Sequence, residues 1–432
     1  NLNGPRNPTG ALTLGPDGNF YGTTHYGGTG GFGTVFRITP GGLLSVIANL
    51  DTSYTGASPV SALALGPDGS LYGTAVGGPK IGGTVFRVTT NGTVTVVASF
   101  SPAVWSGSIL TNLNGDTPQA GVTLGPDGCF YGTTIEGGTN GGGTIFKVST
   151  DGVLTTLFAL GGTNGQSPYA NMTVGPDGML YGTTYVGGTH SAGTVFKVTT
   201  NGAFTKLIDF TDANGSNPEG ALIVGPDKNL YGTTVNGGPG GDGTVFKLTT
   251  NGVLTTIVPF NFLTGASPMA GLSLGPDGFF YGTLSGGSYP TNSGGAVFRV
   301  TTNGTLTILA NFASTNGYEP QASLTLGPDG NFYGTTPHGG PPSIGAGVVY
   351  RFSLRPSTNQ IVSIILDAGG VATLSVASTP GSTNRLWVAT NANLPLAQWQ
   401  SIATNIATNG VFQFMDSDTS GKPMKFYRVS TP

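Results

Sequence analysis

Residues 12–50, LTLGPDGNFYGTTHYGGTGGFGTVFRITPGGLLSVIANL, decide the fold, because the same stretch returns seven times with a period of roughly fifty residues. Its anchor is Gly-Pro-Asp-Gly at Gly15–Gly18, repeated at Gly66–Gly69, Gly125–Gly128, Gly175–Gly178, Gly275–Gly278 and Gly327–Gly330. Proline pre-sets φ at the second turn position, Asp suits the third, and Gly accepts positive φ at the fourth. The pattern predicts a type I hairpin turn closed by a glycine bulge. The fifth copy reads Gly225-Pro226-Asp227-Lys228, which breaks the rule and leaves Asn229 to take the left-handed position. A short apolar strand precedes each turn and an aromatic strand such as Phe20-Tyr21-Gly22-Thr23-Thr24 follows it. After a glycine-rich loop comes Gly33-Thr34-Val35-Phe36-Arg37-Ile38. A second turn follows, Asn-Gly at Asn91-Gly92, Asn201-Gly202, Asn251-Gly252 and Asn303-Gly304, which reads as a two-residue hairpin. A fourth strand ends the unit.

Four short antiparallel strands repeated seven times predict an all-β chain with a seven-bladed β-propeller. The second and third strands are apolar on both faces, as expected where blades pack face to face. A parallel β-solenoid is the competing repeat fold, but its coils are usually shorter and lack hairpin turns.

With 432 residues, the chain has room for a large domain and a small one. Only 8% of residues are charged, glycines number 76, and the formal net charge is -3, which argues against nucleic acid or anionic membrane as partner. Such a balance suits an exported all-β protein with many tight turns. A start at Asn1 rather than Met fits a removed signal peptide or a trimmed chain. No apolar run is long enough for a membrane-spanning helix. Cys129 is the only cysteine, so no internal disulfide forms, and its thiol reads as inert. Each repeat carries one acid in the first turn (Asp17, Asp68, Asp127, Asp177, Asp227, Asp277, Asp329). Each also carries one base after the third-strand aromatic (Arg37, Arg87, Lys147, Lys197, Lys247, Arg299, Arg351). Matched acids and bases predict a ring of structural ion pairs. One carboxylate per turn does not chelate calcium. No metal and no cofactor are expected.

The segments Leu230–Thr234, Gly237-Gly238 and Gly243–Phe246 resemble the tandem GloVer-type repeats of secreted bacterial proteins, frequent in Verrucomicrobia-like genomes. The resemblance covers roughly residues 8–353. It implies an exported, propeller-like domain, secreted or on the cell surface, and no firm activity. The division expected is residues 1–355 for the propeller and 356–432 for a small β-sandwich of fibronectin or immunoglobulin style. In the latter, Trp387, Trp399 and Phe426-Tyr427-Arg428-Val429 resemble the C-terminal modules of exported Verrucomicrobia-like proteins. The two tryptophans read as core, with a glycan-binding accessory role as the alternative.

The chain opens at the tail of a fourth strand, and the seventh repeat runs out after its third strand, Gly347–Leu354. Propellers avoid a free edge by pairing the termini within one blade. Two fillers are available: Gln360–Leu366 (QIVSIIL) folding back, or a segment of another molecule, which would build a homo-oligomer or filament.

In a four-stranded blade the loops between second and third strands share a face with those between blades, and the irregular residues gather there. They include Tyr26, Tyr185 and Trp105, the last on the insertion Ser101–Thr117. The residue after the loop proline enters the innermost strand at the mouth of a central funnel. It is Thr9, Val60, Gln119, Tyr169, Glu219, Met269 and Gln321 in turn. Aromatic faces with amides and a carboxylate suit sugar rings, so Gln119, Tyr169, Glu219, Gln321, Trp105, Tyr26 and Tyr185 are the candidate ligand contacts. A water-filled channel mouth is the bland alternative. The leading function is a non-catalytic scaffold at the cell exterior, binding glycan or other protein. The alternative is a polysaccharide lyase or glycoside hydrolase using His25, His338, Arg6 and Glu219, since ring closure makes the His25 and His338 loops neighbours.

Overall fold

The computed structural model describes the repeat region apart from residues 1–3, 53–54, 78–81, 102–103, 107–108, 262, 287–293, 314 and 341–345; beyond 354 it describes the backbone of the strands. The repeats form a seven-bladed β-propeller, with no α-helix among the described residues. The fourth blade shows the pattern: Thr173–Val174, Leu180–Thr184, Thr194–Val198 and Phe204–Asp209 pair in chain order, all antiparallel.

Both turns are of one kind. At the first, the Gly18 amide donates to Gly15 O at 3.1 Å and the Gly15 amide to Asn19 O at 2.8 Å, with Gly18 at φ 76. In the fifth blade Lys228 itself takes the left-handed position, at φ 62, so the expectation for Asn229 is corrected. The bond from the Asn229 amide to Asp227 Oδ1, at 3.1 Å, holds that turn as the equivalent bonds hold the others. The second turn is also not the two-residue hairpin that Asn-Gly implies. The Gly92 amide donates to Thr89 O at 2.9 Å and the Thr89 amide to Thr93 O at 3.0 Å, and of the Asn-Gly pair only Gly92 has positive φ. Thr89 Oγ1 accepts from the Thr93 amide at 3.0 Å and bonds Asn91, so the side chains select the longer turn.

Closure is built from side-chain hydroxyls. Innermost-strand hydroxyls donate to the next blade's carbonyl: Thr13 to Leu63, Thr123 to Met172, Thr173 to Leu222 and Ser273 to Leu324, at 2.5–2.6 Å. Thr325 completes the circle by donating to Leu12 O at 2.5 Å, 313 residues away. Ala64 and Ile223 hold the corresponding places in the second and fifth blades and have no hydroxyl to give. Between blades, the Phe20 and Tyr333 rings meet at 4.2 Å, as do Tyr72 and Phe130 at 4.1 Å.

The expected ion pairs include, among the described residues, Lys147–Asp127, Lys247–Asp227 and Arg87–Asp68 at 2.6–2.7 Å, and Lys197–Asp177 at 3.8 Å. Sequence reading overlooked the third member. In every blade the second-strand tyrosine donates its hydroxyl to the same carboxylate, at 2.6–3.3 Å. The four-residue spacing of Asp and Tyr around the turn was the available signal. Burial opposes ionisation of Asp17, Asp68, Asp127 and Asp227, but hydrogen bonds to each carboxylate outweigh it and hold all four below the usual range. Burial first, then the acid, pushes Tyr21 and Tyr131 up to about 12. A depressed carboxylate contributes stability that is complete above its unfolded pKa and lost as pH falls through the folded one. A raised phenol contributes stability that is complete below about pH 10 and lost as pH climbs toward its folded value. Thermal melts should therefore show a plateau with falls below about pH 4 and above about pH 10. A melting temperature that stays level through either window would remove the triads as a source of stability.

Every blade enters its innermost strand through a residue in the left-handed region just before proline: Asn7, Ser58, Thr117, Ser167, Asn217, Ser267 and Glu319, at φ 52–58. Their amides reach back to the preceding blade's loop, for example Ser167 to Gly142 O at 3.0 Å and Asn217 to Ala192 O at 2.8 Å. Thr117 is the β-branched member, the type least suited to positive φ. Thr117→Asn should raise stability by roughly 1 kcal/mol, because the left-handed conformation costs an ordinary residue about 1–2 kcal/mol and Asn less. Denaturant unfolding measures it, and a loss of stability would mean that the Thr117 hydroxyl bond to Asp116, at 3.0 Å, matters more.

By internal contacts the chain divides into two compact units, Asn1–Asp329 with Tyr333–Arg351, and Gly330–Phe332 with Phe352–Pro432. In the second, Gln360–Leu366 pairs with Ala372–Ala377, which pairs with Val411–Asp416; Thr383–Ala389 pairs with Gln400–Ile406 and Phe426–Ser430. Gln360–Leu366 is thus not the missing strand of the seventh blade, whose sheet has three strands among the described residues. Packing into a sandwich, and the surroundings of Trp387 and Trp399, lie outside the described residues.

Candidate functional site

The innermost strands bring small residues to the axis: Gly10-Ala11, Ser61-Ala62, Ala120-Gly121, Gly220-Ala221 and Ala270-Gly271. They permit close approach of backbones. A Cβ on Gly121 would stand 2.5 Å from Ala62 O, and one on Gly271 2.5 Å from Ala221 O. Above this waist opens a cavity of about 480 Å³. All seven residues that follow the loop prolines line it: Thr9, Val60, Gln119, Tyr169, Glu219, Met269 and Gln321. Their common register after a left-handed residue and a proline aims them inward. Sequence reasoning missed Asn171, which also lines the cavity and accepts the Gly121 amide on Oδ1 at 2.7 Å. Its place beside the expected Tyr169, where other repeats carry Ala, Gly or Ser, was the signal.

Glu219 is half-buried, and burial raises its carboxyl above the ordinary range. No hydrogen bond from the described residues reaches that carboxylate. The Tyr169 ring stands edge-on to Tyr185 at 5.2 Å. Burial, then the charges of Glu219, Tyr185 and Glu136, raise the Tyr169 phenol. His25 and Tyr26 complete one wall, their rings edge-on at 4.1 Å, and burial lowers the His25 pKa so that its ring tends to stay neutral. Among the described residues neither lysine nor arginine lines the cavity, which leaves Glu219 as its formal charge.

The members of the proposed catalytic cluster fall in different surroundings. His25 and Glu219 line the cavity, whereas His338 and Arg6 do not. His338 Nε2 lies 3.8 Å from Glu319 Oε2, and its carbonyl accepts the Tyr318 amide at 3.0 Å. Arg6 is tied by backbone pairing to Tyr26, the Arg6 amide reaching Tyr26 O at 3.0 Å. Paired carboxylates for glycoside cleavage are likewise missing from the lining residues, where Glu219 stands alone. The insertion Ser101–Thr117 contains a two-stranded hairpin, Val104–Ser106 with Ile109–Thr111, which places Trp105 opposite Leu110; the direction of its ring lies outside the described residues. Among the described residues no group of three or more His, Cys, Asp or Glu side chains is arranged to hold a metal ion. Among the described residues no helix is long and apolar enough to cross a membrane.

The sequence pattern of the Gloeobacter/Verrucomicrobia repeat matches residues 1–111, 105–291 and 243–397. No curated protein matches the chain. Among solved structures it is similar to a gluconolactonase of Xanthomonas campestris at 12% identity and TM-score 0.43, over 82% of this chain and 98% of that one. It is similar to the periplasmic gluconolactonase of Pseudomonas aeruginosa at 18% identity and TM-score 0.40, over 80% and 98%. A puromycin hydrolase aligns at 13% identity and TM-score 0.50, over 88% of this chain and 60% of that one. At such identities the likeness is one of fold.

Proposed function

Since the chain belongs to the Gloeobacter/Verrucomicrobia repeat family, we propose that it works outside the cell, secreted or at the surface, as a propeller that binds glycan in its central funnel. The observation that carries this reading is the lining itself. Near-identical repeats differ at the inward position after the proline, and together those residues line a cavity of about 480 Å³. Two amides, a phenol, a thioether and a carboxylate offer hydrogen bonds to hydroxyls and apolar faces to sugar C–H groups. A single carboxylate with no cation beside it disfavours uronates and favours neutral or amine-bearing sugars. Export accords with the low charge and abundant glycine of the sequence.

A glycan array with the purified chain, run beside Glu219→Gln and Tyr169→Ala, tests the proposal. Binding of neutral or amino sugars that both substitutions weaken is the expected result. No binding across the array, or binding indifferent to both changes, would discard the funnel as a glycan site.

A further inference from the structure

We infer that Asn171 sets the specificity of the funnel, and that the group it selects is the N-acetyl substituent of an amino sugar. The inference deepens the glycan reading and rests on it.

Two residues beyond the ring of variable side chains, the cavity has a second tier at the waist: Ala11, Ala62, Asn171, Ala221, Gly271 and Ser323. All but Asn171 carry a hydrogen, a methyl or a single hydroxyl, so this tier is narrow in chemistry as well as in space. Gly121 holds the corresponding place in the third blade, yet it is not part of the lining. The Asn171 amide lies over it: a Cβ on Gly121 would stand 3.0 Å from Asn171 Nδ2.

The bond to Gly121 fixes which way round that amide sits. A backbone N–H only donates, so the atom 2.7 Å from it is the oxygen, and the other end is the NH2 group with two protons to give. Among the described residues no hydrogen bond uses those protons, and the nitrogen is not shut off from the cavity that the residue lines. The waist therefore presents an oriented donor among the methyls of Ala11, Ala62 and Ala221.

A sugar hydroxyl satisfies the donor but brings nothing to the methyls. A carboxylate accepts from Nδ2 but adds a second negative charge beside Glu219, with no cation in the lining among the described residues. An acetamido group matches each feature at once. Its carbonyl oxygen accepts from Nδ2, its methyl rests on the alanines, and its N–H has an acceptor in the Glu219 carboxylate, one tier higher in the adjoining blade.

The test is calorimetric titration of the full chain with two β-1,4-linked tetramers, one of N-acetylglucosamine and one of glucose. Wild type should bind the acetylated tetramer at least about tenfold more tightly, the equivalent of 1.4 kcal/mol. Asn171→Asp keeps an oxygen for the Gly121 amide and replaces the donor with an acceptor, so it should erase the preference. Asn171→Ala should erase it without adding charge, and both should leave glucose tetramer affinity within about threefold. Thermal melts confirm that each variant is folded, and the wild-type comparison needs no variant. Equal affinity of wild type for the two tetramers, or a preference that survives in both folded variants, would overturn the inference while glucose binding left the glycan reading standing. Failure of the acetylated tetramer to bind would also overturn it, and the glycan array then tells whether the broader reading falls with it.

Discussion

Truncating Phe196 to Ala should cost roughly 3–5 kcal/mol, the usual range for a fully buried aromatic, while Gly182→Ala added to that variant should cost little more. Phe196 is fully buried in the cluster that also holds Tyr131, Leu180 and Val198. Its ring lies across the second strand, directly over its cross-strand partner Gly182. A methyl built on Gly182 would stand 2.5 Å from Phe196 Cζ, so in the intact protein Gly182→Ala should itself cost about 1–3 kcal/mol through overpacking. In the double variant the ring is gone and the methyl enters the space it left. The two changes should therefore fall short of additivity by about 1–3 kcal/mol, the coupling expected of residues in direct contact. Denaturant unfolding of the two single variants and the double completes the cycle. Additive costs would mean that the glycine serves only backbone flexibility. The same pair recurs as Gly22 with Phe36, Gly132 with Phe146 and Gly232 with Phe246, which is why the motif reads Tyr-Gly-Thr in every repeat.

Glu219→Gln should weaken binding of an amine-bearing sugar by about ten- to a hundredfold, since a hydrogen bond to a charged group is worth about 1.5–3 kcal/mol. A neutral sugar should lose far less, because the amide keeps the shape and an acceptor. Acidification tests the same charge without a mutation. Burial places the Glu219 carboxyl above the ordinary range, so it takes up a proton earlier than a surface carboxylate as pH falls. Affinity for the amine should decline through that range and recover on return to neutral pH. His25, on the same lining, gains charge in the same direction and would add repulsion, so the His25→Ala variant separates the two contributions. Calorimetric titration of glucosamine and N-acetylglucosamine oligomers against wild type and Glu219→Gln reads both effects. Equal loss for the two sugars would place Glu219 in shaping the cavity rather than in charge recognition.

The sequence by itself determined the number of blades, their four-strand order and the seven residues at the funnel. Turn chemistry and strand alternation are local, and the proline repeats at one register, so inward aim follows from spacing alone. It misjudged the second turn because an Asn-Gly pair fits two hairpin lengths, and a threonine hydroxyl three positions before the glycine chose between them. It assigned the ring carboxylates to bases without noticing the tyrosine that donates to each, because that bond depends on how the turn folds back over the second strand. Only the tertiary structure decided which loop residues share a cavity. His25 directly follows its Thr-Thr pair and stands on the funnel wall, whereas His338 lies one place further along its loop, at the position of Tyr26, and meets Glu319. The destination of Gln360–Leu366 belongs to the same class. A run such as QIVSIIL is fit for any unpaired strand, and its destination was settled by the hairpin partner that begins six residues further on, Ala377 facing Gln360 at one end and Ala372 facing Leu366 at the other. Strand alternation says that one face is to be buried; which surface buries it depends on what the rest of the chain brings near.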